Sequence, residues 1–181
     1  MTEASAGGSS ALPGGAAAGH YVLDPAGSSV DFTHKTIWGL VTVRGHFSGL
    51  SGEGDVHADG SVTGHIAIPA SSVDTKHTKR DTHLRSADFF HADAHPSITF
   101  AAVSARPANA GELAVDGEVT AAGQTRPLAL TAKIVDVSPD SATLSADVQI
   151  DRADFGMTWN QLGMLRGKAN LSVKARFTRQ P

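Results

Sequence analysis

From His20 onward the chain is written largely in a two-residue rhythm. Val41, Val43, Gly45 and Phe47 alternate with Thr42, Arg44, His46 and Ser48, the pattern of a strand with one face inward and the other in water. The same alternation recurs at Val62, Gly64, Ile66 and Ile68, then at Leu113, Val115, Gly117 and Val119, and again at Leu128, Leu130, Ala132 and Ile134. Leu144, Ala146, Val148 and Ile150, and finally Leu171, Val173, Ala175 and Phe177, complete the series. Ala58-Asp59-Gly60, Ala122-Gly123-Gln124 and Ser138-Pro139-Asp140 are too short for helical crossovers, so successive strands run antiparallel. Roughly eight such strands are best closed on themselves, because closure removes the edges an open sheet leaves unpaired. The predicted fold is therefore all-β, a single antiparallel β-barrel, with a β-sandwich as the alternative. Gly45, Gly64, Gly117, Ala132, Ala146 and Ala175 favour the barrel, since small inward residues leave volume and volume inside a barrel is a pocket. For any single glycine, a bulge or strand kink is the plainer explanation.

The rhythm fails between Ser71 and Pro96. His77, Arg80, Asp81, Leu84 and Arg85 fall at helical spacing, which predicts a short amphipathic helix ending near residue 86. Phe89 and Phe90 follow as an apolar plug, so this segment is expected to lie across one mouth of the barrel as a lid, with ligand entering beneath residues 75 to 90. The loop from Gly156 to Lys168, with Met157, Trp159, Leu162, Met164 and Leu165 among glycines, reads as a second mouth element.

Charge narrows the possible partners. Lys and Arg number 15 against 18 Asp and Glu, without any basic cluster, so the phosphate-neutralising footprint of a nucleic-acid binder is missing and no such partner is expected. Cysteine is absent from all 181 residues, which removes disulfides, thiolate metal sites and a Cys nucleophile. No stretch approaches the ~20 apolar residues of a membrane span. Residues 1 to 19 are mostly Gly, Ala and Ser with one Pro, a composition expected to form a disordered tail ahead of a barrel domain at 20 to 181. They lack the basic start and apolar run of a secretory signal, so a cytoplasmic location is expected.

The aperiodic segment also carries a resemblance. Arg80-Asp81-x-His83-Leu84-Arg85-Ser86-x-Asp88-Phe89-Phe90, followed by His95-Pro96-x-Ile98-Thr99-Phe100, resembles the signature of the YceI-like family. Leu23-Asp24-Pro25, Ser28-x-Val30-x-Phe32, Val43-Arg44-Gly45-x-Phe47, Gly117-x-Val119-Thr120 and Arg152-x-Asp154-Phe155-Gly156 resemble the family's other blocks in the same order, from about His20 to Phe177. The resemblance implies a lipocalin-like barrel with a short helical lid segment that binds a polyisoprenoid or other long-chain apolar compound, and a possible homodimer. It implies no cofactor beyond a bound isoprenoid or lipid.

Burying a long apolar chain yields about 25 cal/mol per Å², so such a binder needs no polar motif. The candidate ligand-binding residues are Phe32, Trp38, Phe47, Leu84, Phe89, Phe90, Phe100, Phe155, Met157, Trp159 and Met164, with Arg80 and His83 placed to meet a polar headgroup. Each apolar member alone is more often plain core. Arg80 and Asp81 have no nucleophile or paired carboxylate beside them, so a structural ion pair or helix-end contact is the expected role and no catalytic residue is assigned. The alternative is a metal-dependent enzyme or stress factor using the histidines of segment 77–95, where His77, His83, His91 and His95 concentrate. Their spacing offers no i, i+4 pair within the helix, so no metal is expected.

Overall fold

The computed structural model describes residues 15 to 181. Eleven strands and one α-helix form in the order β1 (Gly19–Leu23), β2 (Ser29–Thr36), β3 (Val41–Phe47), β4 (Ser51–Val56), β5 (Val62–Pro69), β6 (Val73–Asp74), α1 (Thr78–Arg85), β7 (Ser97–Pro107), β8 (Glu112–Ala121), β9 (Gln124–Ser138), β10 (Ser141–Ile150) and β11 (Ala169–Arg179). Every pairing is antiparallel. Three pairs of strands are single staves interrupted by a bend. β1 and β2 flank a turn at Pro25–Gly27, whose leading residue Asp24 accepts the Ala26 N–H at 3.0 Å. β3 runs on into β4, and β5 into β6, so that β3 lies between β2 and β6 while β4 lies between β1 and β5.

Counted as staves there are eight, and the ring closes on β11. One edge of that strand pairs with β10, and the other with β2 along Asn170–Lys174 and with β1 along Phe177–Arg179. The alternation predicts this closure, because it gives both edges of β11 a partner strand. The β8–β9 hairpin turns on Ala122 (φ 48°) and Gly123 (φ 76°), the left-handed pair of a type I′ turn.

Hydrophobic packing falls into three groups along the barrel. At the end opposite α1, Tyr21, Val56, Leu113 and Val115 form one buried group. The Tyr21 hydroxyl sits between the carbonyls of Ala17 (2.8 Å) and Pro139 (3.0 Å). Ala16 is fully buried in the same group, and the Ala17 N–H donates to the Pro139 carbonyl. The chain therefore joins the barrel before position 20, where the composition placed the end of a tail; residues 1 to 14 of that tail lie outside the described residues. Beneath α1, Val30, Phe47 and Val73 form the second group, and Ala121, Phe155 and Met157 the third.

Candidate functional site

The interior of the barrel holds a cavity of about 240 Å³. Its wall is the alternating apolar set of the strands: Val62, Ile66 and Ile68 from β5, Leu113, Val115 and Val119 from β8, and Leu128 and Leu130 from β9. Leu144, Val148 and Ile150 from β10 and Leu171, Val173 and Phe177 from β11 complete it. Phe100 of β7 is the one member of the predicted ligand set that lines this space directly. The aliphatic residues were legible as an inward face but not as a site, because nothing in a lone Leu or Val distinguishes a cavity wall from a solid core.

Room is made mainly by alanine. Ala105, Ala132, Ala142, Ala146 and Ala175 border the cavity. A Cβ on Gly64 would lie 2.8 Å from the Glu53 carbonyl oxygen and 2.9 Å from the Gly54 Cα, and one on Gly45 would lie 2.5 Å from the Phe32 ring. One on Gly117 would lie 2.7 Å from the Phe100 ring and closer still to the Ala101 carbonyl. Gly45 and Gly117 serve close approach of an aromatic ring or a strand, which corrects the expectation that they leave volume; Gly64 does border the cavity, and it sits at an irregularity of the β5–β7 ladder, as expected of a bulge.

Most other aromatic residues of the predicted set pack as a ceiling beyond the cavity wall and do not line the cavity itself. Phe32, Leu84 and Phe90 pack on the Val30, Phe47, Val73 group, with Phe47 5.6 Å from Phe32 and 5.8 Å from Phe90 between ring centroids. Phe89 and Phe90 pack on the Phe155, Met157 group. Ile68, Ile98, Val119, Ile150, Leu171 and Val173 belong both to the cavity wall and to these groups, so wall and ceiling are continuous. Trp159 stands beside them, 4.5 Å from the His83 ring and 5.7 Å from Phe89. Trp38 and Met164 are set apart from the cavity. They sit on neighbouring loops at the rim, where the Trp38 N–H donates to the Met164 carbonyl at 3.1 Å and the Trp38 side chain is exposed.

The lid is held by polar bonds rather than by an apolar helix face. Leu84 is the only large apolar residue of α1, so the helix is not amphipathic in the expected way. His77 caps it, accepting the Arg80 N–H through Nδ1 at 3.3 Å. Buried Asp81 accepts the Thr75 N–H at 2.9 Å and the Thr75 hydroxyl at 2.5 Å. Arg80 donates to Thr75 Oγ1 (2.7 Å) and to the Thr75 carbonyl (3.0 Å), so Arg80 and Asp81 meet through Thr75. Arg85 donates to the carbonyls of Ser71 and Val73, both at 2.9 Å. On the opposite rim Arg152 donates to the carbonyls of Met157 and Trp159 and faces the Phe89 ring at 6.0 Å. Burial pulls its pKa below the ordinary arginine value. Thr75 and Arg152 are organising residues that the sequence reading passed over as sites, although Arg152 heads one of the quoted blocks.

The histidines of the segment are dispersed. His83 lies 2.9 Å from Asp88, and His91 and His95 meet edge to face at 5.6 Å in a turn. Among the described residues, no three His, Asp or Glu side chains group as metal ligands. No described helix is long and apolar enough to cross a membrane.

A closed up-and-down barrel around an apolar cavity, roofed by aromatics and a tethered helix, is a barrel of the lipocalin-like class. The chain belongs to the YceI-like domain family, whose profile matches residues 21–177. It is 30% identical over 155 residues to a UPF0312 protein of Vibrio campbellii, covering 80% of this chain and 81% of that one. The crystal structure of the Campylobacter jejuni YceI protein superposes with a TM-score of 0.71 at 25% identity, covering 78% of this chain and 88% of that one. A polyisoprenoid binding domain from Saccharophagus degradans, implicated in plant cell wall breakdown, shares the fold with a TM-score of 0.70 at 15% identity, covering 88% and 98%.

Proposed function

We propose that this protein binds, and carries or stores, a long-chain apolar molecule such as a polyisoprenoid, an isoprenoid quinone or a related lipid, and that it does so without catalysis. The observation that carries the reading is the cavity, whose wall is apolar along its length and ends beneath an aromatic ceiling. An apolar chain entering it loses contact with water at about 25 cal/mol per Å². The polyisoprenoid binding domain of the same fold supports the chemical class. Asp81 and Arg80 are already engaged with Thr75, and Arg85 with backbone carbonyls, which favours a structural lid over a reaction centre.

The test is organic extraction of purified protein followed by mass spectrometry, together with titration of the emptied protein with cis-parinaric acid, a fluorescent linear polyene. A copurifying long-chain compound and saturable uptake at one site per chain are expected. Extracts without such a compound, combined with no uptake of the probe, would overturn the reading.

A further inference from the structure

The barrel wall has an open seam. β9 and β10 pair from Ser138↔Ser141 to Lys133↔Ser145, with an irregularity at Thr143/Leu144, and the ladder then stops. Both strands continue. β10 remains paired to β11 as far as Ile150, and β9 remains paired to β8 as far as Gln124. Carried onward, the same register would set Ala146 opposite Ala132, Val148 opposite Leu130 and Ile150 opposite Leu128. A cleft occupies the place of those missing rungs. It is bordered on its outer side by residues such as Thr131 and Asp147, and on its inner side by Val115, Leu128, Leu130 and Val148. The same four inner residues also line the central cavity.

We infer that this seam is the side door through which a linear apolar chain passes between solvent and the cavity. The inference rests on the apolar-cargo reading above and specifies its route. Around most of the wall the staves are held by backbone bonds, which must break before they can part; the edge of β3 ahead of His46 is also without a partner strand, but no β3 residue lines the cavity. Here the bonds are unmade, the strand edges face the open cleft, and only side chains of Leu and Val stand between outside and inside. Pro127, at the start of this stretch, has no N–H to give to a neighbour, which suits a strand whose edge is free. Access under the lid, by contrast, requires breaking the bonds of Asp81, Arg80 and Arg85 and displacing Phe47 and Phe90. A flexible chain suits a slot between two strands, and a wide rigid compound does not.

Because the protein has no cysteine, one bulky maleimide can be attached at one chosen place. Three variants are compared: Ala129→Cys at the outer lip of the cleft, Asp88→Cys beside the lid, and Val103→Cys, exposed on β7. Uptake and release of cis-parinaric acid are timed by stopped flow before and after capping. The cap at position 129 should slow both rates about tenfold with little change in affinity, while caps at 88 and 103 leave them as they were. Equal rates before and after capping at 129, or a slowing produced at 88 instead, would overturn the side door. If the uncapped variants and the parent chain take up no probe at all, it is the cargo reading that fails, and the door with it.

Discussion

At Gly117 the inward face of β8 passes so close to β7 that a single methyl group has nowhere to go: it would press on the Ala101 carbonyl and the Phe100 ring. Replacing it by alanine forces backbone or ring to move, and Gly117→Ala should cost about 1–3 kcal/mol, read as a lowered Tm. Ala146 is small for the opposite reason, since it borders empty space. Ala146→Phe should therefore leave the Tm close to the parent value while abolishing uptake of cis-parinaric acid; undiminished uptake would show that the cavity is not where the probe sits. His34 offers a test by pH. Burial holds its pKa below the ordinary 6.5, even though its Nε2 lies 3.3 Å from the Gly167 carbonyl. The unfolded chain then binds a proton more readily than the folded one, so the stability contributed by neutral His34 is fully present above 6.5 and is lost as pH falls through the lower folded value. Denaturation midpoints followed from pH 7.5 to about 5 should fall less steeply in His34→Gln than in the parent.

Among the elements, α1 depends most on its surroundings. Eight residues are well short of the ~12–15 that hold a helix together alone in water, and Leu84 supplies little apolar anchorage. Thr75 and Asp81 supply the anchorage instead. Asp81→Ala leaves the Thr75 N–H and hydroxyl without their acceptor in a buried place, a loss of about 1–3 kcal/mol. Hydrogen exchange should show this loss locally, with faster exchange across residues 75–90 and unchanged protection in β8 and β11. Uniform loss of protection over the whole chain would mean that the lid and the barrel unfold as one unit. The β9–β10 seam is the second element-scale feature, and there the weakness lies in absent rungs rather than in a short helix.

For the whole molecule, closure couples the cavity to stability. A ligand that binds only the folded barrel adds RT ln(1 + [L]/Kd), about 2.7 kcal/mol at a hundredfold excess over Kd. For a chain of this size, that corresponds to a rise in Tm of about 5–10 °C. Saturating cis-parinaric acid should produce this rise in the parent protein and none in Ala146→Phe. A rise of equal size in both would place the stabilising site outside the barrel.

Much of this architecture was legible in the amino-acid sequence, because the period-two alternation from Val62 to Phe177 is a local property: a side chain's face is set by its parity along the strand. Short turns made the neighbours antiparallel, and the block around Arg80 to Phe100 pointed to the family. The aromatic residues of the ceiling were also legible as a group, though not their separation from the aliphatic wall below. What depended on tertiary structure were quantities set by distance between segments far apart in the chain. Whether Gly45, Gly64 and Gly117 leave space or fill it depends on what stands opposite, and Phe32, Gly54 and Phe100 stand there. Whether Arg80 meets Asp81 directly depends on Thr75, which sits between them. The closing of the ring on β11 and the stopping of one ladder at Lys133↔Ser145 are likewise decided by three-dimensional register. Alternation states which face a residue shows, and only the folded barrel states what that face meets.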